Sequence, residues 1–170
     1  RKKIALFPFV DKNEIKFKLV GDGYDKIPSN FNPSEGTVKR ANASCLKCGY
    51  TIEPKTLRNL FQNGMSTEKM IAVVYVKNNS RGKFYRLPTN HDIKIFEKAS
   101  SLLKKKISDS KEIPTLIPDE ELPLMSGTFN VPLYGIKKWG DLFNNRQKLT
   151  ISTLSILIKQ AYDQMLKQKY

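Results

Sequence analysis

The chain has 170 residues, of which 39% are hydrophobic and 10% aromatic, and its formal net charge is +14. This apolar content supports a packed core, which excludes an intrinsically disordered chain. No run approaches the roughly 18 consecutive apolar residues of a membrane span, and its 2 cysteines are too few for a secreted disulfide scaffold. We therefore expect a folded, cytoplasmic protein without a membrane partner.

The positive charge is distributed unevenly. Lys and Arg minus Asp and Glu give +2 for 1–36, +11 for 37–107, −4 for 108–135 and +5 for 136–170. We predict a basic, β-rich domain over 1–107, an acidic, proline-rich linker over 108–135 and a helical segment over 136–170. A surplus confined to one part favours a polyanionic partner, above all DNA. The alternative is a lysine-rich surface that reflects genome composition or adaptation to heat.

The chain begins with a predicted β-hairpin, whose strands cover 4–10 and 15–20. The second strand alternates, so one face carries apolar residues and the other carries lysines; the apolar residues are Ile15, Phe17 and Leu19. Pro8 is expected at a sheet edge or a bulge because it has no N–H to donate. An irregular loop over 21–36 follows, and a third strand is predicted over 37–43.

The two cysteines lie in the sequence Cys45-Leu46-Lys47-Cys48-Gly49, which has the spacing of half a tetrahedral zinc site. Gly49 permits the tight turn in which backbone N–H groups approach a thiolate. We therefore expect Cys45 and Cys48 to be zinc ligands. Either the other two thiols lie upstream of Arg1 in a longer protein, or the metal is lost and only the knuckle remains. The alternatives are an ordinary β-turn and a redox-active pair.

After the knuckle, a short helix is predicted from Pro54 to about Gln62, with Gly64 suited to its end. A second hairpin is predicted from strands at 70–76 and 83–87. A basic helix begins near Asp92, an extended connector over 108–135 docks in places, and a long helical segment covers 139–170. The predicted fold is α+β, with two β-hairpins around a zinc-ribbon-like knuckle.

Sequence signals for catalysis are missing. His91 is the only histidine and stands at a predicted helix start, where we expect it to be exposed to solvent. The chain has neither a G-x-S-x-G nucleophile elbow nor a glycine-rich phosphate loop. We expect this chain alone not to be an enzyme.

Basic residues alternate with aromatic residues in the second hairpin and again around Trp139. Such surfaces neutralise phosphates and stack bases. For Phe84 and Trp139 themselves we expect core anchors rather than base-stacking residues, with only the Lys and Arg heads exposed. We expect phosphate contacts from six side chains: Lys39, Arg40, Lys47, Arg81, Lys83 and Arg86.

Five passages occur in a characteristic order, at 43–50, 69–75, 83–89, 117–120 and 134–147. Together they resemble the large adenine-specific DNA methylases that contain a zinc ribbon. The most specific passage reads W-G-D-L-F-x-x-R-Q. It contributes four motif positions whose role the sequence does not assign: Trp139, Asp141, Arg146 and Gln147.

The resemblance implies a segment between the S-adenosylmethionine-binding start of a DNA adenine-N6 methyltransferase and its D-P-P-Y motif, neither of which this chain contains. It implies a first C-x-x-C shortly before the stretch that corresponds to Arg1, so zinc would have half its ligands here. S-adenosylmethionine would bind only in the parent protein. Leu46 departs from the family, which commonly has proline there. The implied partners are DNA and the remainder of the parent methylase chain. The alternative is a structural or protein-interaction module with no DNA affinity of its own.

Overall fold

The computed structural model describes residues 3–111, 113, 116–125 and 128–168. The chain forms two compact units, Arg1–Thr89 and Asn90–Tyr170. The first unit holds three small antiparallel sheets and a short helix. The second holds two long helices, and the segment between them contains two 3₁₀-helices, Val131–Tyr134 and Trp139–Leu142. The predicted α+β class is therefore confirmed. The division at residues 107 and 135 stays a prediction from charge.

The first hairpin pairs β1 (Ile4–Asp11) with β2 (Glu14–Gly21) in an unbroken register. Lys12 and Asn13 form the turn with φ values of 44° and 73°, as a two-residue type I′ hairpin requires. Pro8 lies opposite Phe17 in this two-stranded sheet. Both strands are therefore edges, and Pro8 occupies an edge as predicted.

Both faces of this hairpin contribute to packing. Val20 is 0% exposed, although the alternation of β2 puts it on the same face as the lysines. Ala5 lies opposite Val20. Phe7, on this face of β1, packs edge to face on Phe31 with ring centroids 5.0 Å apart. The face that carries the lysines therefore also carries part of the apolar core, because β1 and the loop after the hairpin supply apolar partners.

The second sheet contains β3 (Val38–Lys39), β4 (Asn42–Ser44) and β5 (Thr51–Ile52). The prediction of one strand over 37–43 is wrong, because the chain reverses direction at Arg40 and Ala41. Their φ values are 48° and 67°, so this turn is also of the two-residue type. Neither residue favours positive φ, and the sequence therefore gave no turn signal.

The strained turn gives a testable prediction. Ala41→Gly is expected to raise the free energy of unfolding of the first unit by roughly 1 kcal/mol, because glycine removes the steric cost of the left-handed region. Ala43→Gly is the matched control: Ala43 lies within β4, where glycine is expected to destabilise by roughly 0.5–1 kcal/mol. Chemical denaturation measures both. Equal effects of the same sign would contradict the turn geometry.

Helix α1 (Pro54–Gln62) has the predicted start and end. Gly64 adopts a φ of 70°, and Met65 N–H donates to the Leu60 carbonyl at 2.9 Å. Gly64 N–H donates to the Phe61 carbonyl at 3.1 Å, which completes a Schellman motif. Pro54 and Gly64 therefore occupy the helix start and the helix end that the sequence predicts for them.

The third sheet pairs β6 (Val73–Tyr75) with β7 (Phe84–Arg86), which confirms the second predicted hairpin with shorter strands. The Tyr24 hydroxyl donates to the Tyr85 carbonyl at 2.5 Å and accepts from Tyr85 N–H at 3.2 Å. The loop after the first hairpin is therefore tied to β7.

In the second unit, α2 (Asn90–Asp109) packs on α3 (Asn145–Lys167). The segment between them is held by backbone hydrogen bonds. Leu122 N–H donates to Lys137 O at 2.7 Å, and Gly140 N–H donates to Pro118 O at 2.9 Å. The most buried described side chains of this unit are Leu103, Ile113, Leu122 and Ser152.

In the part of the chain that the structure describes, no helix combines the length and the apolar character needed to cross a bilayer.

Candidate metal knuckle and basic surface

The cysteine pair lies in the loop that connects β4 to β5. Cys45 N–H donates to the Tyr50 carbonyl at 2.8 Å, and Gly49 N–H donates to the Cys45 carbonyl at 2.9 Å. Gly49 has a φ of 72°, a conformation that glycine adopts without strain. The two strands and these hydrogen bonds fix the loop, which we call the knuckle (residues 45–50).

The knuckle directs backbone donors at one sulfur. The backbone N–H of Cys48, then that of Lys47 and the Cys48 side chain, lower the pKa of the Cys45 thiol. N–H groups that hydrogen-bond a sulfur stabilise its thiolate, which is the form that binds metal. Cys45 is half-buried and Cys48 is exposed, and neither forms a disulfide.

The knuckle supplies two soft ligands, which suit zinc as part of a four-ligand set. Within the described ranges, no group of three or more His, Cys, Asp and Glu side chains could hold a metal ion. His91 lies in the first turn of α2, exposed as predicted, and belongs to the other unit. Cys45 and Cys48 therefore fit half of a zinc site.

All six predicted phosphate contacts belong to the first unit, which has 17 Lys and Arg against 7 Asp and Glu over residues 1–89. The second unit has 13 against 9. Lys39 and Arg40 line a cleft of ≈ 640 Å³ at the second sheet. Arg81 and Lys83 line another of ≈ 640 Å³ beside the first hairpin. Lys47 lies in the knuckle, and Arg86 lies in β7.

The aromatic residues differ from one another in burial. Phe84 is half-buried and packs on Tyr75 with ring centroids 5.7 Å apart, and Lys77 Nζ lies 4.7 Å from its ring centre. Trp139 is 44% exposed, so its interpretation as a core anchor is wrong. Within the described residues its ring stacks on Phe129 with centroids 6.4 Å apart, and much of the indole stays uncovered.

The W-G-D-L-F-x-x-R-Q passage begins a short 3₁₀-helix at Trp139–Leu142 and then α3. Asp141 Oδ2 accepts from the backbone N–H groups of Lys137 and Lys138 at 3.2 and 3.0 Å. Gln147 Oε1 accepts from Asn144 N–H at 2.9 Å, in a reciprocal capping box. Asp141 and Gln147 therefore stabilise backbone turns, which the motif alone did not reveal. Arg146 is exposed.

One group of polar residues near the knuckle was missed by sequence reasoning. Thr37, Asn42, Ser44 and Thr51 line the same cleft as Lys39 and Arg40. The sequence signal that could have found them is the alternation of polar and apolar residues in the two strands that flank the turn at Arg40 and Ala41. It stayed hidden because the turn at Arg40 and Ala41 was not recognised.

Known proteins give no information about the function of this chain, so a function can be inferred only from the residues of the site. No protein-family model, no curated protein and no solved structure matches the chain.

Proposed function

We propose that this chain is the zinc-ribbon-like insert of a cytoplasmic, S-adenosylmethionine-dependent, adenine-specific DNA methyltransferase. In this proposal the insert is non-catalytic and holds duplex DNA for a base-flipping catalytic domain. The parent chain supplies the S-adenosylmethionine site and the catalytic motif. The ordered resemblance to zinc-ribbon methylases supports the choice of parent enzyme.

The observation that carries the proposal is that the cysteine knuckle and the six candidate phosphate contacts share one compact unit. That unit has 17 Lys and Arg against 7 Asp and Glu over residues 1–89. Clustered cations attract nucleic acid without reading its sequence, because they displace counterions from the phosphate backbone. The insert would therefore supply affinity, and the catalytic domain would supply base recognition.

Zinc would have a structural role in this proposal. Cys45 and Cys48 would supply two of its four ligands, and the remainder of the parent chain would supply the others. A bound zinc ion would fix the loop between β4 and β5. Lys47 stands between the two ligands and would be held toward the DNA.

Salt dependence of duplex binding tests the DNA part of the proposal. Six phosphate contacts predict a slope of log K against log salt of about −5. Fluorescence anisotropy with a labelled duplex oligonucleotide measures this slope. Absence of binding at low salt, or a flat slope, would contradict the proposal.

The zinc half-site gives a second expected result. With only two thiolates per chain, we expect zinc to bring two chains together around one ion at half an equivalent, and to be lost readily to a chelator. Cys45→Ser is expected to abolish this dimer, and Mg²⁺ is the control ion that should not produce it. Analytical ultracentrifugation with and without zinc gives the answer. A tight complex of one ion with one chain would show that the ligand set is complete without partner thiols.

A protein-interaction module is the second candidate, and an exposed stripe on α3 favours it. Ile151, Leu154, Ile158, Tyr162 and Met165 follow helical spacing, and each remains about half exposed at 48–61%. An apolar helix face without a neighbour commonly marks a protein contact. This candidate predicts no DNA affinity, so the salt titration separates it from the first.

A further inference from the structure

We propose that one face of the second sheet is a binding site for a single backbone phosphate of nucleic acid. This inference rests on the proposed DNA function and deepens it by naming the place of one contact. The sheet register puts the relevant side chains together. Lys39 pairs with Asn42 and Ser44 pairs with Thr51, while Ser44 N–H donates to the Thr37 carbonyl at 2.8 Å.

Because side chains alternate along a strand, these paired residues share one face, which we call the polar face. It consists of Thr37, Lys39, Asn42, Ser44 and Thr51. The intervening residues Val38, Ala43 and Ile52 occupy the opposite face. The sheet therefore separates its apolar side chains from a continuous row of hydrogen-bonding ones.

The polar face lines a cleft of ≈ 640 Å³, and Arg40 and Gly36 complete the lining. The lining side chains offer three hydroxyls, one amide, one ammonium and one guanidinium, and they include no carboxylate. A divalent cation would need carboxylate ligands. A phosphate oxygen accepts hydrogen bonds from every one of these groups.

The knuckle holds the floor of this cleft in place. Ser44 and Thr51 directly flank the knuckle, whose ends are joined by the hydrogen bond from Cys45 N–H to the Tyr50 carbonyl at 2.8 Å. The two hydroxyls are therefore kept side by side before any ligand arrives, which lowers the entropy cost of binding. This arrangement gives the knuckle a direct connection to the phosphate site.

A carboxylate at the edge of the cleft competes for the same cation. Glu35 Oε2 lies 3.3 Å from Lys39 Nζ, and both side chains are largely exposed. Asn32, followed by Lys39, lowers the pKa of Glu35, so this carboxylate is ionised at neutral pH. A phosphate that enters the cleft would replace Glu35 as the partner of Lys39.

The test measures duplex binding over a range of salt for the full 170-residue chain. Lys39→Gln with Arg40→Gln is expected to reduce the salt slope by about 1, since both cations face the same phosphate and each lost phosphate contact reduces the slope by about 1. Ser44→Ala with Thr51→Val is expected to weaken binding roughly tenfold at unchanged slope, because hydroxyls donate without charge. Glu35→Gln is expected to tighten binding roughly threefold, by removing a competing charge.

The control is Ser101→Ala, an exposed serine of α2 in the second unit, which should leave binding unchanged. Unfolding curves establish that each variant is folded. Binding that is salt-dependent but unaffected by the polar-face variants would overturn this inference and leave the DNA proposal intact. Absence of duplex binding by the unaltered chain would overturn both. A second titration uses inorganic phosphate at matched ionic strength. If inorganic phosphate saturates the chain while the duplex does not bind, the phosphate that the site recognises does not come from nucleic acid.

Discussion

Gly140→Ala is expected to lower the free energy of unfolding of the second unit by roughly 2–3 kcal/mol, an overpacking penalty. A Cβ at this position would lie 2.6 Å from the Pro118 carbonyl oxygen and 3.0 Å from Ile117 Cγ2. The first of these atoms is backbone and cannot rotate away. The hydrogen bond from Gly140 N–H to the Pro118 carbonyl, 2.9 Å long, would be displaced as well.

Gly36→Ala is the matched control for this substitution. At Gly36 an added Cβ would meet nothing closer than 3.9 Å, so the change in unfolding free energy should stay within about 0.5 kcal/mol. Urea denaturation is followed by the fluorescence of the single tryptophan, Trp139, for the second unit and by ¹⁵N–¹H spectra for the first unit, which contains Gly36. Equal stability of the two variants would show that Ile117 and Pro118 do not pack on the 3₁₀-helix at Trp139–Leu142.

Neutralising five cations of the first unit is expected to weaken duplex binding roughly 100- to 1000-fold near 100 mM salt, because the phosphate contacts are lost. The substitutions are Lys or Arg to Gln at Lys39, Arg40, Lys47, Arg81 and Lys83. Arg86 is left unchanged because its guanidinium Nη1 donates to the Leu87 carbonyl at 3.2 Å, and its removal would also disturb the backbone.

A charge-matched control separates location from net charge. Five exposed lysines of the second unit are changed to Gln in the same way: Lys94, Lys98, Lys104, Lys105 and Lys111. Both variants have the same net charge, yet the control is expected to lose less than about tenfold in affinity, since only diffuse attraction is reduced. Equal losses would mean that the positive charge acts as a whole and that the first unit has no special role.

Local signals in the sequence were enough for elements that obey backbone rules. Pro54 and Gly64 delimit α1, and strict alternation defines β2. The turn at Arg40 and Ala41 was missed because neither residue is a usual type I′ residue. Val20 was not recognised as the most buried of the described residues of the first unit because its partners come from β1 and the loop after the hairpin, which periodicity within one strand does not report.

The candidate site, like the fold, could be predicted from the sequence only in part. Charge counting put the six cations in one region, and C-x-x-C spacing put the two thiols in one turn. The polar face could not be seen without the register of three short strands, since Thr37 and Thr51 are far apart in sequence. The structural roles of Asp141 and Gln147 likewise needed the hydrogen bonds that they make to backbone groups.

Mapping the DNA contact on the chain tests the central claim most directly. In ¹⁵N–¹H spectra of the chain titrated with a short duplex oligonucleotide, we expect shifts concentrated in the first unit, with the largest at the second sheet, the knuckle and the third sheet. Amides of α2 and α3 are expected to stay unchanged. Shifts confined to the second unit, or no shifts at low salt, would contradict the account.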